Sequence, residues 1–372
     1  MSKRRVKMYQ VVLLLFLSRA FTIISYNSKQ GSSFGATTAL IGVLLGFALM
    51  LLIFLPGYYF IRRNSLQGEM SDLSMCAAKA VGKGAAVVDV FYFLFFAAVA
   101  GYTVANFELF ITTVIYPQAS HFLVVFLLIL AACYGVFMGI ESLSRTAIIV
   151  FAVFLISMGF IIFSLLPQMD WVNLKMPFWS GLQEGTTALF GGMMDSVGQS
   201  MELAALFFLM PHIIGKIGKG MVAWDAMFTA QLILVSVFIV GVLGQLGITQ
   251  PFPFYTLASV AEISIFQRLD ALHVSIWVLM GYIKTALFIF VSAKSLSHLL
   301  PERGRKFTPF IATGASLVVA LLLSDNIQNL NLASAVIGTG IPVAVAVLVI
   351  PGGLFLIDLI RNRKAKKGEA RR

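Results

Sequence analysis

The sequence predicts an all-α polytopic membrane protein of about ten transmembrane helices, and three observations carry that prediction. Hydrophobic residues make up 59% of the 372, charged residues only 12%, and mean hydropathy is +0.93. A soluble domain would be about 25% charged. The apolar residues gather into runs mostly near the ~20 residues that cross a bilayer. The Lys and Arg residues fall almost entirely between those runs and at the two chain ends.

In chain order the runs cover roughly 8–27, 36–61, 87–115, 121–140, 146–166, 187–213, 221–244, 271–296, 308–323 and 332–360. The first follows a basic start, as a secretory signal would. Arg19 interrupts it, however, and no small-x-small cleavage site follows, so it reads as a retained span. The 308–323 run is short and spans only if tilted or polar-ended. Residues 64–86 leave room for an amphipathic interfacial helix around Met70 to Val81. Pro251 and Pro253 end the helix before them, and a short surface helix is expected near Leu257 to Gln267. No polar stretch is long enough for a soluble domain, so residues 1–372 are expected to form one transmembrane unit with a basic tail at 361–372.

Charge bias sets the expected orientation. With the N-terminus inside, inner segments hold 21 of the 27 Lys and Arg residues and outer segments hold only Lys29, Lys175 and Arg268. That asymmetry places both termini in the cytoplasm. The tail RNRKAKKGEARR would then lie against anionic inner-leaflet lipid, as a stop-transfer anchor does. The net charge of +11 is thus read as membrane orientation, not as a nucleic-acid surface. Cys76 and Cys133 lie far apart, and no disulfide framework is indicated.

Spans of this number commonly divide five plus five with opposite topology. The halves would be about 8–166 and 187–360. A short match supports the division: Asp89 precedes Gly101-Tyr102 in the third run, and Asp270 precedes Gly281-Tyr282 in the eighth.

The sixth run carries the chemistry. In GTTALFGGMMDSVGQSMELAALFFLMP, Gly191-Gly192 stand ahead of Asp195, Gln199 and Glu202, spaced i, i+4, i+7 on one helical stripe. Carboxylates at bilayer depth cost about 2.5–3.5 kcal/mol on insertion scales and persist where they face protein or water. The paired glycines lower helix propensity, so the helix is expected to break there and to expose backbone groups to a small solute. The first run places Arg19 at matching depth, and an ion pair from Arg19 to Glu202 or Asp195 is expected. Such a pair either belongs to a ligand site or fixes helix register. Ser18 and Thr22, one turn apart on the same run, and Tyr102 in the third run are candidate pocket residues. Lys284, at mid-depth in the eighth run, either carries a coupling proton or pairs structurally with an acid or carbonyl. The four histidines lack metal-ligand spacing, and no nucleophile elbow, zinc motif or phosphate loop is present. No enzyme activity or cofactor is expected.

SIFQRLDALHVSIWVLMGYIKTALF, with Arg268, Asp270, Trp277 and Lys284, resembles the signature block of the spore-germination receptor B-subunit family. MELAALFFLMPHIIGKIGKG, with Glu202 and Pro211 ahead of basic residues, is similar to that family's sixth span. The resemblance implies the amino acid, polyamine and organocation transporter superfamily, with two inverted five-helix repeats and broken helices one and six. It implies a nutrient receptor in the spore inner membrane, working with an A subunit and a lipoprotein C subunit and binding a small germinant, commonly an amino acid. One departure stands out: the usual glycine near the break in span one is absent, and Arg19 stands there. A guanidinium could grip a ligand carboxylate in place of backbone amides.

The residues together point to a membrane sensor. Arg19 would serve the ligand carboxylate or the ion pair. Thr22 and the Gly191-Gly192 backbone would supply polar contacts, Asp195 and Ser196 the ammonium end, and Tyr102 a wall. The alternative is a proton-coupled amino acid transporter on the same fold, with Glu202 or Lys284 carrying the coupling.

Overall fold

The computed structural model describes residues 5–25, 36–65, 70–174, 189–191, 193–194, 196–198, 200–244, 246–262, 269–324 and 326–369. Among the described residues, eight helical segments are long and apolar enough to cross a membrane, and Met8–Ile23 is a shorter apolar helix. A further interrupted segment, helical before residue 199 and again over Glu202–Leu209, occupies the sixth predicted run. The protein is an all-α integral membrane protein.

Helix α1 (Met8–Ile23) starts where the Lys7 amide donates to Gln10 Oε1, and it runs without interruption to Ile23. The break expected in span one is therefore absent from α1: the sequence there, VVLLLFLSRAF, holds neither Gly nor Pro to open it. Helix α2 (Ala36–Asn64) contains Pro56. The predicted interfacial helix is α3 (Leu73–Val81), capped by Asp72, whose carboxylate accepts from the Met75 amide at 2.9 Å. Helix α4 (Ala85–Phe110) ends in a π turn, Ile111–Ile115. Helices α5 (His121–Met138) and α6 (Ile140–Leu165) meet at Gly139, whose φ of 85° only glycine adopts readily.

The second half holds α7 (Glu202–Leu209), α8 (Ile217–Phe238), α9 (Pro253–Ser259), α10 (Asp270–Leu299), α11 (Thr308–Ser324) and α12 (Ile327–Gly338). It closes with α13 (Ile341–Ala344), which passes through a π turn into α14 (Ile350–Glu369). Three boundaries differ from expectation. The surface helix begins at Pro253, because proline is pre-set for the first helical turn and needs no amide partner there. The predicted 332–360 run divides at Thr339-Gly340, where Gly340 is left-handed at φ 73° with Pro342 just inside the next helix. The basic tail stays helical to Glu369, and Arg361 donates to the Lys79 and Ala80 carbonyls that end α3.

Helix α10 is the axis of the bundle: 67% of its apolar window is buried, against 22% for α11. Gly101 lets α4 close on α11, since a Cβ there would sit 2.6 Å from the Val319 Cβ. A two-residue parallel ladder pairs Val6 with Ile213 and Lys7 with Ile214. It ties the start of α1 to the chain just beyond α7. Nearby, His212 contacts Lys294, and Asp72 receives Lys294 at 3.5 Å and His298 at 3.2 Å. The start of α1 and Arg361 of α14 thus lie at the same end of the bundle.

Candidate functional site

Four elements converge at mid-bundle: α1, α4, α10 and the start of α7. Ser200 is outside helical geometry and Met201 sits in a turn, so the helix is interrupted just ahead of Glu202. This interruption stands beyond the Gly191-Gly192 pair where a break was expected; Gly191 is helical and Gly192 lies outside the described residues. The reason is visible at residues 196–200: the Ser200 hydroxyl bonds back to the Ser196 carbonyl, competing with the backbone ladder. Glu202 therefore opens α7, where the exposed amides of a helix start favour an anion.

Glu202 is fully buried. Its Oε1 accepts from Ser18 Oγ at 2.7 Å and from Lys284 Nζ at 2.9 Å, and Lys284 also donates to Thr22 Oγ1 at 2.7 Å. Ser18 reaches the carboxylate and Thr22 the ammonium because they stand one turn apart on α1. A buried ion pair is helped by hydrogen bonds to its polar atoms; the two hydroxyls supply them to Oε1 and the ammonium, while Glu202 Oε2 has no hydrogen-bond partner among the described residues.

Of the two partners expected for Arg19, Glu202 is taken by Lys284, and Asp195 lies outside the described residues. Successive residues on a helix point about 100° apart, so when Ser18 faces Glu202, Arg19 faces away. Its Nη2 donates to the Ser196 carbonyl at 3.3 Å, and its guanidinium carbon lies 4.5 Å from the Phe228 ring centroid on α8. Arg19 is buried, but it does not line the cavity beside Lys284. Asp195, Gln199 and Gly192 lie outside the described residues.

The cavity is bounded by Phe21 and Thr22 of α1 and Ser25 just beyond it, by Tyr102, Thr103 and Asn106 of α4, and by Met201, Lys284 and Ile337. It gives a water molecule's centre about 20 Å³, enough for a water but not for an amino acid. Ligand entry therefore requires the walls to move. Thr103 and Asn106 bond back to the Val99 and Tyr102 carbonyls, so their polar atoms are held by α4 itself. At the end of the cavity nearest Ser25, aromatic rings close the bundle. Trp277 stacks on Phe21 with centroids 4.9 Å apart and on Phe107 at 5.0 Å, and its indole N–H donates to Ser25 Oγ at 2.9 Å.

Sequence reasoning placed Ser18, Thr22, Tyr102, Glu202 and Lys284 at one locus, and they meet there or on its wall. Ser196 is near but serves Arg19 through its carbonyl. Met201, Ile337 and the Trp277 lid were missed as site residues. Ile337 becomes a wall only because Gly340 turns the chain, and a Cβ at Gly340 would lie 3.6 Å from the Gly198 Cα.

An all-α bundle of membrane-length helices with an ion pair buried beside an internal cavity defines a polytopic membrane protein. The chain belongs to the spore germination protein family, whose model matches residues 6–329. It is similar to spore germination protein KB of Bacillus subtilis (strain 168), 23% identical over 382 aligned residues that cover 99% of this chain and 98% of that protein.

Proposed function

We propose that this chain is the membrane-embedded B-type subunit of a germinant receptor and that it binds a small ligand, an amino acid, in the cavity between α1, α4 and α10. One observation carries the reading. The Lys284 ammonium has three protons; Glu202 and Thr22 take two at 2.9 and 2.7 Å, and Lys284 borders the cavity, where a ligand carboxylate would meet the third. The family membership supports the germination role, and the spore inner membrane, with both termini cytoplasmic, is the matching location. The 21-to-3 charge asymmetry supports that orientation. The A and C subunits of such a receptor would read the rearrangement that ligand entry demands. The expected inverted halves, about 8–166 and 187–360, suit a site built from both.

Thermal unfolding of the purified chain with a panel of amino acids tests the reading. A germinant amino acid should raise the unfolding temperature of the native chain and not that of Thr22→Val. Absence of stabilisation by any amino acid would contradict it.

The second reading, a proton-coupled amino acid transporter, draws on the same buried Lys284–Glu202 pair, since a carboxylate and an amine in contact can exchange a proton as the site opens. Uptake into proteoliposomes by this chain alone separates the two.

A further inference from the structure

Away from the central cavity, α2 and the last helix cross where each carries a proline. Pro56 lies in α2 and Pro351 near the start of α14, which is entered through the π turn Val345–Val349. A proline inside a helix frees a carbonyl and crowds the preceding turn, and π turns mark helices that carry such an irregularity. Small residues bring the helices together: a Cβ at Gly57 would lie 3.0 Å from the Pro351 Cβ, and one at Gly352 would lie 3.9 Å from the Pro56 Cβ. The Ala346 carbonyl of the π turn is held by the buried Tyr92 hydroxyl, which fixes its shape.

Outside that crossing the surface falls in, leaving an apolar crevice of about 560 Å³ walled by Leu55, Tyr59, Leu348, Val349, Gly352 and Leu356. Its two walls are chemically uniform, because residues 36–61 and 341–357 contain no charged side chain. One end is the opposite. Leu55, Tyr59 and Arg62 follow one another at i, i+4 and i+7 on the same face of α2, so exposed Arg62 stands about 10 Å along the helix from Leu55. The same end of α2 carries Arg63, and the Asn64 carbonyl there accepts from Lys79, whose own carbonyl accepts from Arg361. The rim's acid, Asp358, is occupied by Arg63 at 3.4 Å and by the Asn362 amide at 3.1 Å. A cationic rim at one end of an apolar trough matches an amphiphile with an anionic head.

We propose that this crevice is a lipid site that seats one acyl chain of an anionic phospholipid with its phosphate on Arg62. The occupant is a lipid, not a partner's helix. Both walls belong to helices long and apolar enough to cross a membrane, and the basic residues begin only past their last uncharged turn, at Arg62, Arg63 and Arg361.

The full-length chain, purified in detergent, is titrated with phosphatidylglycerol and with phosphatidylcholine and read by native mass spectrometry. Phosphatidylglycerol should bind in preference. Arg62→Gln should reduce that preference about fivefold, the effect of one basic residue near a membrane surface. Val349→Trp, an exposed position where a larger ring fills the trough, should lose binding of both lipids while leaving the unfolding temperature without lipid unchanged. Unaltered preference in Arg62→Gln, or equal binding of the two lipids by the native chain, would overturn the proposal. So would a photoreactive residue at position 349 that, in membranes, labels polypeptide and not lipid.

Discussion

The ammonium of Lys284 lies 2.9 Å from Oε1 of Glu202, and both groups are buried at the centre of the bundle. Removing one member leaves the other charge without compensation, at a cost of about 3–5 kcal/mol. Glu202→Gln and Lys284→Met should each lower the unfolding temperature sharply. The double variant should be less destabilised than the sum of the two, as a double-mutant cycle by thermal unfolding would show.

Thr22 holds the ammonium from the cavity side at 2.7 Å. Thr22→Val keeps the side-chain volume and removes the acceptor, and a hydrogen bond to a charged group contributes about 1.5–3 kcal/mol. Stability should fall by that amount or less, while ligand-induced stabilisation should disappear. Loss of stability with an undiminished ligand response would show that Thr22 is structural only.

The Trp277 indole combines packing and a hydrogen bond, and the two can be separated. Trp277→Phe keeps a ring in the stack but loses the bond to Ser25 Oγ. It should cost about 1 kcal/mol, against about 3–5 kcal/mol for Trp277→Ala. Chemical denaturation of the three proteins side by side gives the comparison.

Asp72 caps α3 and meets Lys294 and His298. Burial acts to raise its carboxyl, but the His298 hydrogen bond and the Lys294 and His298 charges outweigh burial and hold it below the ordinary value of 3.8. A folded-state value lower than the unfolded one stabilises the protein above about pH 4, and that stability is lost as pH falls through the folded value. Asp72→Asn should therefore flatten the acid limb of the stability profile. Since Asn still caps a helix, it should be milder than Asp72→Ala by about 1 kcal/mol.

At Gly101 a Cβ would collide with Val319 and with the Ser316 carbonyl, 2.8 Å away. The carbonyl is backbone and cannot rotate aside. Gly101→Ala should cost about 1–3 kcal/mol and separate α4 from α11, which disulfide trapping across the two helices would detect.

The spans and the ionisable residues within them were legible because a bilayer makes a polar side chain in an apolar run conspicuous. Glu202, Lys284 and Thr22 stood out for that reason. Their pairing was legible only in part. An acid partner for Lys284 was one of its two expected roles, but depth alone matched Arg19 to Glu202 or Asp195, whereas helix phase, which depends on how α1 rotates against α8 and α10, gave Glu202 to Lys284. An interruption of the sixth span was expected at Gly191-Gly192, of which Gly192 lies outside the described residues, and one stands further on, at Ser200-Met201. Glycine only permits an opening, while the Ser200 hydroxyl supplies a competing bond. The turn at Gly340 lay inside one apolar run, so Ile337 could not be assigned to the cavity without the fold.

Alkylation of a cysteine at the cavity wall tests the central claim most directly. In a Cys133→Ser background, with native Cys76 buried, Asn106→Cys places a thiol beside Tyr102, Thr22 and Lys284. The amino acid that stabilises the native chain should protect that thiol in a concentration-dependent way, and protection should vanish in Thr22→Val. Stabilisation by the amino acid with no change in alkylation rate at position 106 would place the ligand elsewhere and contradict the account.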